Sequence, residues 1–174
     1  MDNVTTLLEK ISIDSDIETE YKVAFESILR FVKEYRTSTI TEHELEVTEA
    51  LAGPFTQGGM LIVLLEPRRW HPWTQGIHYV IQNCKSLRVM DDGLKFVSEE
   101  VLSLTNGVSL LDLRPLLVKG DYPHLESKVW ERLYDLVYEA IKAKKPDVLL
   151  CMGNFDQQSI RRIAKKAFWD PTED

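Results

Sequence analysis

Cysteine is nearly absent from this chain: Cys84 and Cys151 are the two that it holds in 174 residues. They stand far apart and form no metal-type spacing, and a structural disulfide between them is disfavoured. Cys151 falls inside the apolar run Val148-Leu149-Leu150-Cys151-Met152, which predicts a buried thiol. Long apolar runs are missing as well. None approaches the length that spans a bilayer, and the start Met1-Asp2-Asn3 carries no basic region followed by an apolar stretch. A soluble intracellular protein, cytoplasmic or nuclear, with no membrane contact, is the expectation. The chain has no Walker sequence and no Gly-x-Gly-x-x-Gly, so no nucleotide-phosphate cradle is signalled. It has no Gly-x-Ser-x-Gly and no cysteine in a loop, so a nucleophilic triad is unsupported. There is no internal repeat and no low-complexity segment, and nothing calls for a cofactor.

A basic excess is also lacking. The net charge is −7, and residues 1–50 hold 12 acids against 5 bases, whereas residues 51–174 balance 16 against 16. The whole excess is therefore N-terminal, and the overall electrostatic footprint of a nucleic-acid binder is absent. Only a local patch is open, with Arg68, Arg69, Arg114, Arg161, Arg162, Lys165 and Lys166 as its candidates.

What is present reads as one α/β domain covering 1–174, with an acidic helical segment (1–52) ahead of an α/β core (60–168). Tyr21, Phe25, Ile28, Leu29 and Val32 recur at helical spacing, with Asp14, Ser15 and Asp16 as capping groups ahead of them. Thr41 followed by Glu44 has the capping-box form and opens a second helix running to Leu51. Gly53-Pro54 through Gly58-Gly59 ends it. Met60–Leu65 is a short apolar run that reads as a strand buried on both faces. Gly76–Ile81 is a short strand or a helix start, and Phe96–Leu104 fits a short helix. Val108–Leu113 is a second strand after the turn Asn106-Gly107. Val129, Trp130, Leu133, Leu136, Val137, Ala140 and Ile141 outline a long helix that Pro146 stops. Val148–Met152 is a third strand, and Asp156 caps a last helix carrying Ile160, Ile163, Ala164 and Phe168. Strands alternating with helices predict a three-layer sandwich: a central, mostly parallel sheet of about four strands, with N-terminal helices added.

Functional groups in such sheets gather where the strands end. The first strand runs into Glu66-Pro67-Arg68-Arg69-Trp70-His71-Pro72, and the second ends in Asp112. Glu66 and Asp112 could thus be neighbours at one edge, and two close carboxylates would divide into an acid and a base. The ordinary alternative is that each faces solvent or pairs with Arg68, Arg69 or Arg114. Glu66 with His71 and His78 matches no standard metal spacing, and no metal is assigned. His43 and His124 read as surface residues. Arg68, Arg69, Trp70 and Trp73 form an aromatic and basic surface that suits stacked bases and phosphates or a protein-binding patch.

The order of these pieces resembles the uracil-DNA glycosylase superfamily. Leu64-Leu65-Glu66-Pro67-Arg68-Arg69 falls where the family has a strand ending in Gly-Gln-Asp-Pro-Tyr-His. Gly76-Ile77-His78-Tyr79 falls on its Gly, apolar pair and Phe, and Ser109-Leu110-Leu111-Asp112-Leu113 on its Leu-Leu-Leu-Asn-Thr. Trp130 and Val148–Gly153 match its next helix and its strand ending in Trp-Gly. The likeness spans residues 60–160 and rests on order and spacing more than on identity. It implies a ligand pocket built by Pro67, Gly76, Tyr79 and Asp112, with Glu66 as the catalytic candidate, Tyr79 as the stacking ring and Asp112 in place of the amide that reads the base. Glu66 sets its charge one methylene farther out. Asp112 only accepts hydrogen bonds where an amide also donates. The family's final His-Pro-Ser-Pro and its last strand have no counterpart. The resemblance therefore implies a protein without uracil-excising activity that acts by binding a protein partner, or a nucleic acid or nucleobase. The alternative is a divergent glycosylase or nucleobase hydrolase that uses Glu66. Outside the family stands a plain α/β interaction module with the acidic helices as its contact surface.

Overall fold

A computed structural model of the chain describes residues 19–36, 38–65, 73–116, 126–153, 155 and 157–168. The first helix, α1 (Glu20–Tyr35), buries Tyr21, Phe25, Ile28 and Val32, as its spacing predicts, and adds Phe31. Its cap is Thr19, whose hydroxyl accepts from Lys22 N–H at 3.2 Å; Asp14, Ser15 and Asp16 lie outside the described residues. Helix α2 (Glu42–Ala52) opens on a complete capping box. The Thr41 N–H donates to Glu44 Oε2 at 2.8 Å, and the Glu44 N–H donates to Thr41 Oγ1 at 3.2 Å.

Three strands follow: β1 (Met60–Leu64), β2 (Val108–Asp112) and β3 (Val148–Cys151). All are parallel, in the order β2-β1-β3. The sheet of the described residues thus has three strands and not about four. The remaining candidate, Gly76–Ile81, lies in helix α3 (Gly76–Asn83), where Val80 and Ile81 turn inward together. Neighbours in sequence that bury side by side fit a helix turn and not the alternation of a strand.

A second difference concerns Phe96–Leu104. Helix α4 is Lys85–Val97, and it buries Leu87, Met90, Asp91 and Leu94. The apolar residues Phe96, Val97 and Val101 are exposed. The short helix expected at Phe96–Leu104 is not formed: the helix ends at Val97, and its buried residues all precede Phe96. Helix α5 (Ser127–Lys144) buries Leu133, Val137, Ala140 and Ile141. It ends at Lys145, which is left-handed with φ 47°, ahead of Pro146. Helix α6 (Gln157–Phe168) buries Ile163 and leaves Ile160 and Phe168 exposed.

The layers follow from β1. Leu61 and Val63 point into a core shared with α1, α5 and α6. Ile62 points the other way, into a core with α2, α3 and α4. This is the period of two of a strand covered on both faces, and it makes the architecture an α/β sandwich of three layers.

Lys144 is an unexpected member of the first layer. Its side chain is 1% exposed, and its Nζ donates to the carbonyls of Pro54 (3.1 Å) and Thr56 (2.7 Å). It lies 5.2 Å from the centre of the Tyr21 ring. Burial pushes this ammonium below its ordinary pKa. Lys144 therefore ties the loop before β1 to the end of α5, a role beyond the macrodipole contact that its position predicts.

Candidate functional site

The strand ends meet. Leu64 and Asp112 are directly paired in register. The ladder continues past them: Leu113 N–H donates to Leu64 O at 2.8 Å, Arg114 N–H to Leu65 O at 3.0 Å, and Met152 N–H to Val63 O at 2.9 Å. These bonds bring Leu65, Asp112 and Met152 to one carboxyl edge, the place where open parallel sheets take ligands.

A cavity of about 590 Å³ opens at this edge, within the range of small-molecule sites. The sheet supplies Leu64, Leu110 and Asp112, continued by Leu65, Met152 and Gly153. Thr48 and Leu51 of α2, Trp73, Cys84 and the first turns of α4 close the wall opposite. Most of the lining is apolar. The polar side chains on it are Thr48, Lys85, Ser86 and Asp112. An apolar cavity with few polar groups fits a largely apolar ligand held by one or two directional contacts.

The sequence candidates separate at this point. Asp112 and Trp73 line the cavity together. Gly76 and Tyr79 are not among the lining residues. Gly76 opens α3 at φ +77° with nothing within 4 Å of a built Cβ, a left-handed conformation that glycine adopts without steric cost. The Tyr79 ring is 46% exposed on α3, while its carbonyl accepts from the Asn83 side chain at 2.9 Å. Glu66, Pro67, Arg68, Arg69 and Trp70, together with His71, lie outside the described residues.

Arg114 takes another place than a phosphate patch. Its Nε donates to Tyr134 Oη at 2.9 Å, and its guanidinium lies 5.1 Å from the Trp130 ring centre and 5.9 Å from that of Tyr134. That is a cation held on the aromatic face of α5. Arg161, Arg162 and Lys165 are exposed on α6, as an amphipathic helix predicts. Cys84 is buried on the cavity wall, and Cys151 is half-buried, with burial raising its thiol above the ordinary value. Both are free thiols. Among the described residues no group of three His, Cys, Asp or Glu side chains is placed to hold a metal ion, and no helix is long and apolar enough to cross a membrane.

Three polar wall residues have no counterpart in the sequence analysis: Thr48, Lys85 and Ser86. Lys85 and Ser86 begin α4, the helix whose start the exposed Phe96 and Val97 obscured. The signal that finds them is the buried spacing Leu87, Met90, Asp91, Leu94. Comparison with protein-family models, with curated proteins and with solved structures returns no match.

Proposed function

We propose that this chain is a non-catalytic, glycosylase-like binding module whose cavity takes a ligand containing a nucleobase with an exocyclic amine. The observation that carries the reading is the cavity at the carboxyl edge of three parallel strands, apolar in most of its lining, with the Asp112 carboxylate on its wall. A carboxylate accepts hydrogen bonds and cannot donate, so it selects the amine of cytosine or adenine over the carbonyl oxygen of uracil. The Trp73 ring, which lines the same cavity, is the stacking partner that the resemblance assigns to Tyr79. Base-on-ring stacking tolerates any base, so selectivity falls on Asp112.

Calorimetric titration with cytidine, adenosine and uridine tests this. Cytidine or adenosine binds at least about tenfold more tightly than uridine, and Asp112→Asn removes most of that preference, as expected for a hydrogen bond to a charged acceptor. Duplexes carrying uracil or hypoxanthine release no base. A folded protein that binds none of the three nucleosides overturns the ligand. Base release that disappears in Glu66→Gln overturns the non-catalytic assignment.

A further inference from the structure

We infer that the outer face of α4 is a self-association surface, on which two copies of this chain pair as antiparallel helices crossing at Gly93. The face is apolar and uncovered among the described residues: Val89 is 60% exposed, Phe96 86% and Val97 75%. With Gly93 these positions follow the i, i+4, i+7, i+8 spacing of one helical stripe. The opposite stripe already seats α4 in its own core through Leu87, Met90 and Leu94; Lys85 and Val89 also line the cavity, whereas Phe96 and Val97 belong to neither the core nor the cavity. A contiguous exposed apolar stripe is the mark of an interaction site.

Two features select a second copy as the occupant. The first is Gly93 at the midpoint between Val89 and Val97. Glycine is unfavourable inside a helix, and nothing among the described residues lies within 4 Å of a Cβ placed there, so no described neighbour requires it. It lets a second helix backbone approach at the crossing point, and a two-fold axis there sets Val89 of each copy level with Val97 of the other.

The second feature is charge. Lys85 and Arg88 stand at the N-terminal end of α4, and Glu99 and Glu100 just beyond its C-terminal end. Both placements oppose the helix's own macrodipole, which favours acids first and bases last. Lys95, the base of the last turn, is engaged by Asp91 at 2.7 Å. Glu99 and Glu100 are held left-handed, at φ 51° and 67°, by bonds from Glu100 N–H to Lys95 O (2.8 Å) and from Val101 N–H to Ser98 O (3.1 Å). An order unfavourable within one helix becomes complementary between two antiparallel ones, base end against acid end, twice by symmetry.

Sedimentation of the full chain across a range of concentrations reads this directly. A dimer forms, and Phe96→Glu dissociates it without changing the circular dichroism, because that side chain is solvent-facing in one copy. The charges distinguish this pairing from any other. Lys85→Glu/Arg88→Glu and Glu99→Lys/Glu100→Lys each weaken self-association, and mixing the two variants restores a heterodimer. A chain that stays monomeric at millimolar concentration overturns the inference. So does a dimer that Phe96→Glu leaves intact, or one in which the mixed charge variants fail to pair.

Discussion

Glu44 shows what a single residue can and cannot announce. Its spacing from Thr41 predicts the capping box, and both reciprocal bonds form. The spacing gives no hint that Glu44 Oε1 also meets Arg36 Nη2 at 2.9 Å, across the turn between α1 and α2, with both side chains under 10% exposed (8% and 9%). Burial alone raises this carboxyl; the Thr41 N–H, the Arg36 guanidinium and the Thr41 hydroxyl outweigh it and hold the group below its ordinary 4.5. A carboxyl lowered by folding contributes stability above its unfolded pKa and loses that contribution as pH falls through the folded one. Glu44→Gln is therefore expected to cost about 1–2 kcal/mol at neutral pH. Urea melts of both proteins should converge as pH drops below about 4.5. A gap that persists at pH 2 refutes the assignment to charge. Lys144 was less visible still. Lys142, Lys144 and Lys145 near the end of α5 suit its macrodipole, and only the carbonyls of Pro54 and Thr56, some ninety residues away in the chain, turn one of them inward.

Among elements, α4 was the least legible and the strands the most. Each strand is a short apolar run, and a run of that kind is its own signal. In α4 the inward stripe contains an aspartate, while Val89, Phe96 and Val97 face out, so the helix does not announce its own start. Asp91 is the reason that a polar residue belongs in the stripe. It is 3% exposed; Oδ1 accepts from Leu104 N–H at 2.8 Å and Oδ2 meets Lys95 at 2.7 Å. It ties the helix to the segment leading into β2. Asp91→Ala leaves the Leu104 N–H without that acceptor and is expected to destabilise by about 2 kcal/mol, whereas Lys95→Ala, on the exposed side of the same contact, should cost clearly less. Equal losses in chemical denaturation would place the weight on the ion pair and not on the backbone bond. Lys85 and Ser86 stand in the first turn of α4, ahead of the segment Phe96–Leu104 that the sequence offers as a helix, so their place on the wall is not legible from it. The cavity wall is thus legible only in part: Asp112 reads from the strand end, Trp73 reads as part of a surface patch and not of a cavity, and the wall that α2 and α4 supply depends on how helices pack across the chain, which periodicity does not encode.

At the scale of the molecule, two apolar cores lie back to back with one sheet between them. The central strand serves both, through Leu61 and Val63 on one side and Ile62 on the other. Neither core can dissolve while the other stands, so the unfolding of the described core should be a single transition. Leu61→Ala and Ile62→Ala, on opposite faces, should each cost about 2–5 kcal/mol, and in hydrogen exchange each should lower the protection of α1 and α4 amides together. Loss confined to the side of the substitution would show two independent units. Five residues, Met60–Leu64, carry this double duty, and their alternation leaves no slack. Deleting or inserting one residue there sends every following side chain to the opposite face. This segment can therefore accept exchanges of one apolar residue for another over evolutionary time, but its length is frozen, whereas the turn between α1 and α2 has no such alternation to keep in step.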